Sequence, residues 1–185
     1  MDCRPSSARG LAIPPELETA RLSLRRLTVD DAPFVVALYN EPSFLENIGD
    51  RGLRNADDAQ RFLRDGPLAM YARLGFGLWH VARRSDGVGI GLCGLLKRDA
   101  LPDVDIGYAF FPQFWGQGYA FEAVSATLRH AAHAFALRRV VAVVSSGNTG
   151  SIRVLEKAGM RFERMHAMEA NEPEVCLYAR DLSDA

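Results

Sequence analysis

The sequence predicts one α/β domain in which helices pack on a mixed, mostly antiparallel sheet. The first observation behind this prediction is the length of 185 residues, which is typical of a single domain. The second is that segments with strand periodicity alternate with segments with helical periodicity. The third is that no linker breaks the chain after a Pro- and Gly-containing segment over residues 1–18. We expect this segment to be a flexible lead-in to a domain over residues 19–185.

The first three predicted elements are a strand and two helices. Apolar and polar residues alternate over 20–29, which indicates a strand. A helix is predicted over 30–39, where Pro33 falls in the favourable first turn. Apolar residues recur at helical spacing over 55–74, and Gly66-Pro67 is expected to interrupt this second helix.

The remaining elements alternate in the same way. Strands over 76–83 and 88–97 flank a Ser-Asp-Gly turn, and the strand over 103–111 places alternate apolar residues on one face. The clearest helix covers 118–137 and has an apolar stripe. A continuous β-branched run over 139–144 is typical of a strand covered on both faces. Two further elements complete the order, a short helix over 148–158 and a strand over 174–181.

Composition excludes several classes of function. The formal net charge is −1, with 22 basic and 23 acidic residues, so the chain carries no electrostatic footprint for nucleic acid. Cys3, Cys93 and Cys176 lie far apart without a CxxC pattern, so neither a zinc cluster nor a disulfide framework is expected. The chain shows neither an apolar run of about 18 residues nor an apolar leader segment. We therefore expect a cytoplasmic protein without a membrane span.

A glycine-rich turn between the strand over 103–111 and the helix over 118–137 is the most informative segment. It reads P-Q-F-W-G-Q-G-Y-A over 112–120, and its glycines allow a close backbone approach. The first turn of the following helix offers unpaired N–H groups and the positive end of the helix dipole, which together bind a phosphate. An ordinary turn that starts a helix explains the same glycines, since neither G-x-G-x-x-G nor G-K-[ST] is present.

The chain resembles the GNAT acyltransferases in four blocks that occur in the family's order. Residues 113–120 are similar to the family's Q/R-x-x-G-x-G/A signature, and the preceding D-I-G-Y-A-F-F-P is similar to its fourth strand. The segment N-T-G-S-I-R-V-L-E-K-A-G-M over 148–160 resembles its N-x-x-S-x-x-x-L-E-K-x-G-[FM] helix. The opening T-A-R-L-S-L-R resembles the branch that includes ribosomal-protein N-terminal (RimJ/RimL-like) acetyltransferases. The resemblance covers residues 19–181.

This resemblance implies a GNAT fold that binds acetyl-CoA as co-substrate and uses no metal. The fourth and fifth strands, here 103–111 and 139–144, would part and hold pantetheine between them. The pyrophosphate would lie on the backbone N–H groups of the turn, and Asn148 would bond pantetheine or cap the last helix. The residues implied in cofactor binding are Phe110, Gln113, Phe114, Trp115, Gly116, Gln117, Gly118, Tyr119, Ala120, Asn148 and Ser151.

Two side chains are candidates for proton transfer. Asp105 matches the place where several GNAT enzymes carry a catalytic glutamate, and we expect it to be the general base, directly or through water. A strand-face carboxylate, solvated or paired with an arginine, is the alternative. Many GNAT enzymes carry a tyrosine acid one helical turn after Ser151, where this chain has Leu155, so Ser151 becomes the candidate acid. Its alternative role is to bond backbone at the helix start. Tyr108 and Tyr119 are weaker candidates.

The resemblance implies an N-acetyltransferase that moves an acetyl group from acetyl-CoA to a primary amine by direct transfer in a ternary complex. The amine is a protein N-terminus or a small-molecule amine, and segments 34–48, 55–74 and 165–174 are expected to build its pocket. The alternatives are a non-catalytic acyl-CoA-binding sensor or interaction module, and a different nucleotide-binding α/β protein. We expect no nucleic-acid or membrane partner, and either a monomer or a homodimer.

Overall fold

An eight-stranded sheet organises the structure, a computed structural model that describes residues 16–169 and 173–182. Its strands are β1 (Leu17–Glu18), β2 (Leu22–Arg26), β3 (Leu78–Arg83), β4 (Gly89–Leu96), β5 (Asp105–Phe110), β6 (Arg139–Val144), β7 (Arg161–His166) and β8 (Val175–Asp181). They lie in the order β1-β2-β3-β4-β5-β6-β8-β7, and every neighbouring pair is antiparallel except β5 and β6. The predicted mixed, mostly antiparallel sheet is confirmed.

Helices cover both faces of this sheet. They are α1 (Ala32–Tyr39), α2 (Pro42–Asn47), α3 (Ala56–Leu63), α4 (Ala69–Leu74), α5 (Tyr119–Phe135) and α6 (Thr149–Lys157). A π-helical turn over Arg64–Leu68, which contains Gly66-Pro67, joins α3 to α4. Because proline has no N–H to donate, the helix widens there, and the predicted interruption is a local distortion of one continuous helix. Within the described residues, no helix is long and apolar enough to cross a membrane.

The side chains of β5 divide between the two helical layers. Ile106 and Phe110 pack in one cluster with Val124 and Leu128 of α5. Ala109 packs in a second cluster with α1, α2 and α3. This division follows from the strand period of two. α5 and α6 therefore cover one face, α1 to α3 cover the other, and the apolar stripe predicted for the long helix is confirmed.

β5 and β6 part after a single point of contact. In the described part of the chain they share one register pair, Asp105 with Val141, where the Val141 N–H donates to the Val104 carbonyl at 3.0 Å. β6 pairs with β8, in contrast, along its full length. A wedge therefore opens between the carboxyl ends of β5 and β6. β6 is covered on both faces, as predicted, since Val140 and Val141 lie in different clusters.

Three elements, β1, α2 and β7, were absent from the predicted order. β7 is an edge strand that is exposed along nearly its whole length, so it carries no apolar alternation. α2 has six residues and β1 has two, which is too short for a periodic pattern. β1 belongs to the described end of the predicted lead-in and pairs with β2. Residues 1–15 of that lead-in lie outside the described residues.

Candidate active site

The wedge between β5 and β6 opens into a cavity of about 410 Å³. Tyr108 and Phe110 line it and pack on the layer of α5 and α6, while Leu38 and Phe44 line it and belong to the opposite layer. The cavity therefore passes through the sheet. We call the part lined by the glycine-rich turn, α5 and α6 the turn side, and the part lined by residues 38–48 the α2 side. A passage of this size holds a small molecule.

The free edge of β5 presents backbone groups to the wedge. Phe111, which directly follows β5, donates its N–H to the carbonyl of Ile90 in β4 at 3.1 Å. In an antiparallel pair the adjacent residue points its N–H and C=O the other way, so those of Phe110, and by alternation Tyr108, face the wedge. The Phe110 carbonyl accepts a hydrogen bond from Trp115 Nε1 at 2.7 Å. This bond ties the glycine-rich turn to the end of β5.

The glycine-rich turn wraps the N-terminus of α5. Pro112–Phe114 form one tight helical turn, and Trp115 is extended. Gly116 and Gly118 then take left-handed φ angles of 72° and 81°, which side chains disfavour. A Cβ at Gly116 would meet nothing within 4 Å, so the backbone conformation, and not a lack of space, favours glycine there. Gly118 is the N-cap of the 17-residue α5, whose unpaired N–H groups and positive dipole end lie beside the cavity.

The structure brings most of the residues implied in cofactor binding to this cavity. Those that line it are Phe110, Phe114, Trp115, Gly116, Gly118, Tyr119, Ala120, Asn148 and Ser151. Gln113 and Gln117 do not line it. Instead, Gln117 Nε2 donates to the Gln113 carbonyl at 3.0 Å, which braces the turn across its own backbone.

A polar cluster that sequence reasoning missed holds this turn from the side of β2. Arg21 donates from Nε to Glu122 Oε2 at 2.6 Å and from Nη1 to the Gln117 carbonyl at 2.9 Å. Thr19 Oγ1 donates to Glu122 Oε1 at 2.6 Å. Burial tends to raise the pKa of Glu122, but the hydrogen bonds from Thr19 and Arg21 outweigh it and lower the pKa. The signal in the sequence was the T-x-R opening, which reaches the first turn of α5.

Ser151 and Tyr108 meet near the beginning of α6. Their hydroxyl oxygens lie 2.7 Å apart, and both residues line the cavity. Burial raises the pKa of Tyr108, so its phenol keeps its proton at neutral pH. Asn148 Oδ1 accepts the Ser151 N–H at 3.0 Å, which is the capping role proposed for Asn148. Leu155 is buried in the core and does not line the cavity.

The structure does not bring Asp105 to the cavity. Its carboxylate is fully buried at the closed end of the wedge, with Arg98 Nε 3.3 Å from Oδ2. Neither carboxylate oxygen makes a hydrogen bond within the described residues. Burial raises the pKa of Asp105 to about 6, against the opposing effect of Arg98. Asp105 shares its face of the sheet with Ala109, towards α1 and α2, and lies about 10 Å along the strand from Tyr108.

Three apolar residues, two polar residues and one carboxylate line the α2 side of the cavity, and these are Leu38, Phe44, Ile48, Ser43, Asn47 and Glu41. α2 is joined to the loop after β6, where Ser145 Oγ donates to the Asn47 carbonyl at 3.3 Å. Segment 34–48 therefore contributes to the cavity wall. No described residue of 55–74 or 165–174 lines this cavity, and residues 170–172 of the second segment lie outside the described residues. α3 packs behind α1 instead.

The two described cysteines, Cys93 and Cys176, and the histidine His130 have structural surroundings. Cys93 is buried with its Sγ 3.4 Å from Thr127 Oγ1, and burial raises its pKa to about 12, so it holds its proton at neutral pH. Cys176 is also buried. His130 packs edge-on against Trp79. Across residues 16–169 and 173–182, no group of three or more His, Cys, Asp or Glu residues is placed to hold a metal ion. Cys3 lies outside the described residues.

A family model for the acetyltransferase (GNAT) domain matches residues 21–161. The match includes both strands of the wedge, the glycine-rich turn and α6. The chain belongs to the GNAT acetyltransferase family, as the resemblance implied, and it is therefore an acyltransferase enzyme. The alternative of an unrelated nucleotide-binding α/β protein is wrong.

Known proteins and solved structures agree with this assignment. The chain is 29% identical over 153 residues to the uncharacterized N-acetyltransferase YoaA of Bacillus subtilis strain 168, covering 80% of this chain and 84% of YoaA. An acetyltransferase from Agrobacterium tumefaciens strain C58 has a TM-score of 0.76 at 25% identity, covering 91% of this chain and 95% of that one. The fold is shared with RimL, a ribosomal L7/L12 alpha-N-protein acetyltransferase in complex with coenzyme A. RimL has a TM-score of 0.75 at 17% identity, covering 88% and 95% of the two chains.

Proposed function

We propose that this acetyltransferase moves the acetyl group of acetyl-CoA to a primary amine by direct transfer while both molecules are bound. The observation that carries the proposal is the cavity that reaches both faces of the sheet. Donor and acceptor then meet in the wedge without competing for one face. Holding two reactants in this way supplies much of the rate advantage, and no enzyme nucleophile is needed.

The turn side of the cavity supports a site for the CoA pyrophosphate. The N–H groups of residues 113–120 and the N-terminus of α5 provide an anion site. Arg153 and Lys157, one helical turn apart on α6, line the same cavity. Lys157 Nζ lies 4.4 Å from the ring centroid of Phe121, which brings its charge to the first turn of α5. RimL, which shares this fold, was crystallised with coenzyme A.

The free edge of β5 supports a site for pantetheine. Pantetheine contains amide groups, and an unpaired strand edge binds amides as it binds another strand. The Phe110 carbonyl already accepts the indole N–H of Trp115, but a carbonyl has two lone pairs and accepts a second donor. Asn148 and Ser151 line the cavity from α6, across the wedge from this edge.

The chemistry needs two proton movements. The ammonium group first loses one proton, and its nitrogen then attacks the thioester carbonyl carbon. As the C–S bond breaks and the amide forms, the nitrogen releases a second proton, which replaces the one given to the departing thiolate. In this proposal the departing thiolate receives a proton from the Ser151–Tyr108 pair, whose hydroxyls lie at the cavity. Asp105 lies at the closed end of the wedge and does not line the cavity, so we propose that it accepts the amine proton through intervening water and not by direct contact. A carboxyl with a pKa of about 6 is ionised at neutral pH, yet basic enough to take a proton.

An assay of CoA release tests the proposal. Acetyl-CoA is incubated with the protein and a panel of peptides, amino acids, alkylamines and arylamines, and the thiol and the N-acetyl product are both quantified. We expect equal amounts of CoA and N-acetyl amine for at least one acceptor class. Thermal stabilisation by CoA without amine-dependent release would instead favour the non-catalytic acyl-CoA-binding module.

A further inference from the structure

The charged side chains that line the cavity are distributed unevenly. Among the described residues, the turn side carries the two cations Arg153 and Lys157, and the α2 side carries one charged group, the carboxylate of Glu41. Within the described residues, this carboxylate forms neither an ion pair nor a hydrogen bond, whereas Glu122, beside the turn, has three hydrogen-bond donors. The carboxylate oxygens of Glu41 can therefore accept hydrogen bonds from a molecule bound in the cavity.

The backbone holds Glu41 in place between α1 and α2. Its N–H donates to the Leu38 carbonyl at 3.3 Å, and its carbonyl accepts from the N–H groups of Phe44 at 2.9 Å and Leu45 at 3.1 Å. The side chain is half-buried. Phe44 is fixed in turn, because its ring stacks on Tyr39 with centroids 4.3 Å apart. The carboxylate thus belongs to an ordered wall.

The neighbours of Glu41 strengthen its attraction for a cation. Leu38, Phe44 and Ile48 line the same part of the cavity and lower the local dielectric. Opposite charges about 4 Å apart attract several times more strongly in such surroundings than in bulk water. Primary amines are protonated at neutral pH and therefore arrive as cations. An ammonium group next to an apolar substituent matches both features of this wall.

The same wall disfavours two other kinds of acceptor. A free amino acid carries a carboxylate beside its amine, and no cationic side chain in the part of the chain that the structure describes lines the α2 side to receive it. A polyamine carries a second positive charge, for which Glu41 leaves no further carboxylate. A peptide N-terminus with an apolar first residue, or an alkylamine or arylalkylamine, has one charge and an apolar group.

We infer that Glu41 binds the ammonium group of the acceptor, and that the acceptor is a monocationic amine with an apolar substituent. The inference rests on the proposed function, because it assigns the α2 side of the cavity to the amine. Glu41 then acts as a specificity-determining residue, and its effect depends on the charge of the acceptor.

Two acceptors of nearly equal shape test this dependence. Benzylamine is protonated at neutral pH, whereas O-benzylhydroxylamine is uncharged. In Glu41→Gln we expect kcat/KM for benzylamine to fall about tenfold to a hundredfold, mainly through KM, as for the loss of a hydrogen bond to a charged group. The KM for acetyl-CoA and the kcat/KM for O-benzylhydroxylamine should stay within about threefold of wild type. Glu46→Gln, which removes an exposed carboxylate of α2 outside the cavity, is the matched control and should leave all values unchanged.

The wild-type protein gives a second test that needs no variant. Phenylalaninamide should be acetylated with a higher kcat/KM than phenylalanine, because only phenylalanine brings a carboxylate to the α2 side. A peptide that begins with phenylalanine shows whether the acceptor is a polypeptide N-terminus or a small amine. A higher kcat/KM for the peptide than for the amide indicates a polypeptide acceptor, and the reverse indicates a small amine. Both results support the inferred class.

The outcomes separate this inference from the proposed function. If the wild type acetylates amines but Glu41→Gln lowers the charged and the uncharged acceptor equally, or lowers neither, the role of Glu41 is refuted and the proposed function stands. A preference for phenylalanine over its amide overturns the acceptor class. If the wild type acetylates no amine, both proposals fall together.

Discussion

The two sides of the cavity differ in whether backbone groups or side chains line them. The turn side consists largely of backbone: two left-handed glycines, the N-terminus of α5 and the free edge of β5. The α2 side consists of side chains on a six-residue helix and the turn before it. A site made of backbone groups suits the cosubstrate, which is the same in every reaction cycle. Such a site is recognisable in the sequence as a short glycine motif. A side-chain site changes with each residue, which is why the acceptor is the part of the reaction that differs within a fold.

The largest effect on activity is expected for a substitution of Asp105, which lies on the same face of the sheet as the α2 side of the cavity. Asp105→Asn should lower kcat by about 10²–10⁴-fold without changing CoA affinity, because it removes the proposed proton acceptor. A base must be deprotonated to act, and burial raises the pKa of Asp105 to about 6. Wild-type activity should therefore fall as the pH drops through about 6. A pH–rate profile of both proteins measures this, and the variant should lack that inflection.

A neighbouring carboxylate provides the control for Asp105. Asp103 pairs with Arg139, whose Nε lies 3.1 Å from Oδ2, and it does not line the cavity. Asp103→Asn should keep the wild-type pH–rate profile. Wild-type turnover by Asp105→Asn at every pH would leave Asp105 as the buried partner of Arg98 and remove it from the chemistry.

The next largest effect is expected for a substitution in the glycine-rich turn, on the turn side of the cavity. Gly116→Asp should weaken CoA binding about tenfold to a hundredfold, since it places a negative charge beside the pyrophosphate site and disfavours the left-handed backbone. Titration of CoA by calorimetry measures the affinity. Gly52→Asp is the matched control, because Gly52 has a φ of 70° and open space around it but lies outside the cavity. Unchanged CoA affinity in a folded Gly116→Asp protein would refute the assignment of the turn.

A smaller effect is expected at the hydroxyl pair of Ser151 and Tyr108, which lies on the turn side. The CoA thiol resembles a cysteine thiol with a pKa of about 8.5, so its thiolate leaves without strong assistance. Ser151→Ala and Tyr108→Phe should each lower kcat by about tenfold, and the double variant should lose no more than about tenfold in addition. Steady-state kinetics at saturating acetyl-CoA measures this. Weaker CoA binding with full turnover at saturation would make Ser151 a binding residue and exclude it as the acid.

The smallest effect concerns the support of the turn. Glu122→Gln weakens the contact with Arg21 that holds the turn against β2. We expect the KM for acetyl-CoA to rise about two- to fivefold with kcat unchanged, because exposed ion pairs contribute little individually. Glu163→Gln, which removes an ion pair with Arg139 away from the cavity, should leave this KM unchanged. A fall in kcat with an unaltered KM would assign Glu122 a role other than positioning the turn.

What could be predicted from the sequence also differs between backbone features and side-chain contacts. Sequence patterns found every helix and strand longer than six residues, and the glycines at 116 and 118 marked the turn, because both signals come from local backbone geometry. The contact between Arg21 and Glu122 was missed because it joins residues 101 positions apart. Strand alternation gave the face on which Asp105 lies but not its depth, and the residue proved to be at the closed end of the wedge. α2 and Glu41 carry no periodic signal, since six residues make fewer than two helical turns.

Initial-velocity kinetics with both substrates varied tests the central claim, that donor and acceptor occupy the two sides of one cavity together. Double-reciprocal lines should intersect, since both molecules must be bound before the acetyl group moves. Acetyl-CoA alone should leave no acetyl group on the protein. Parallel lines, together with an acetylated protein formed without amine, would contradict direct transfer through the sheet.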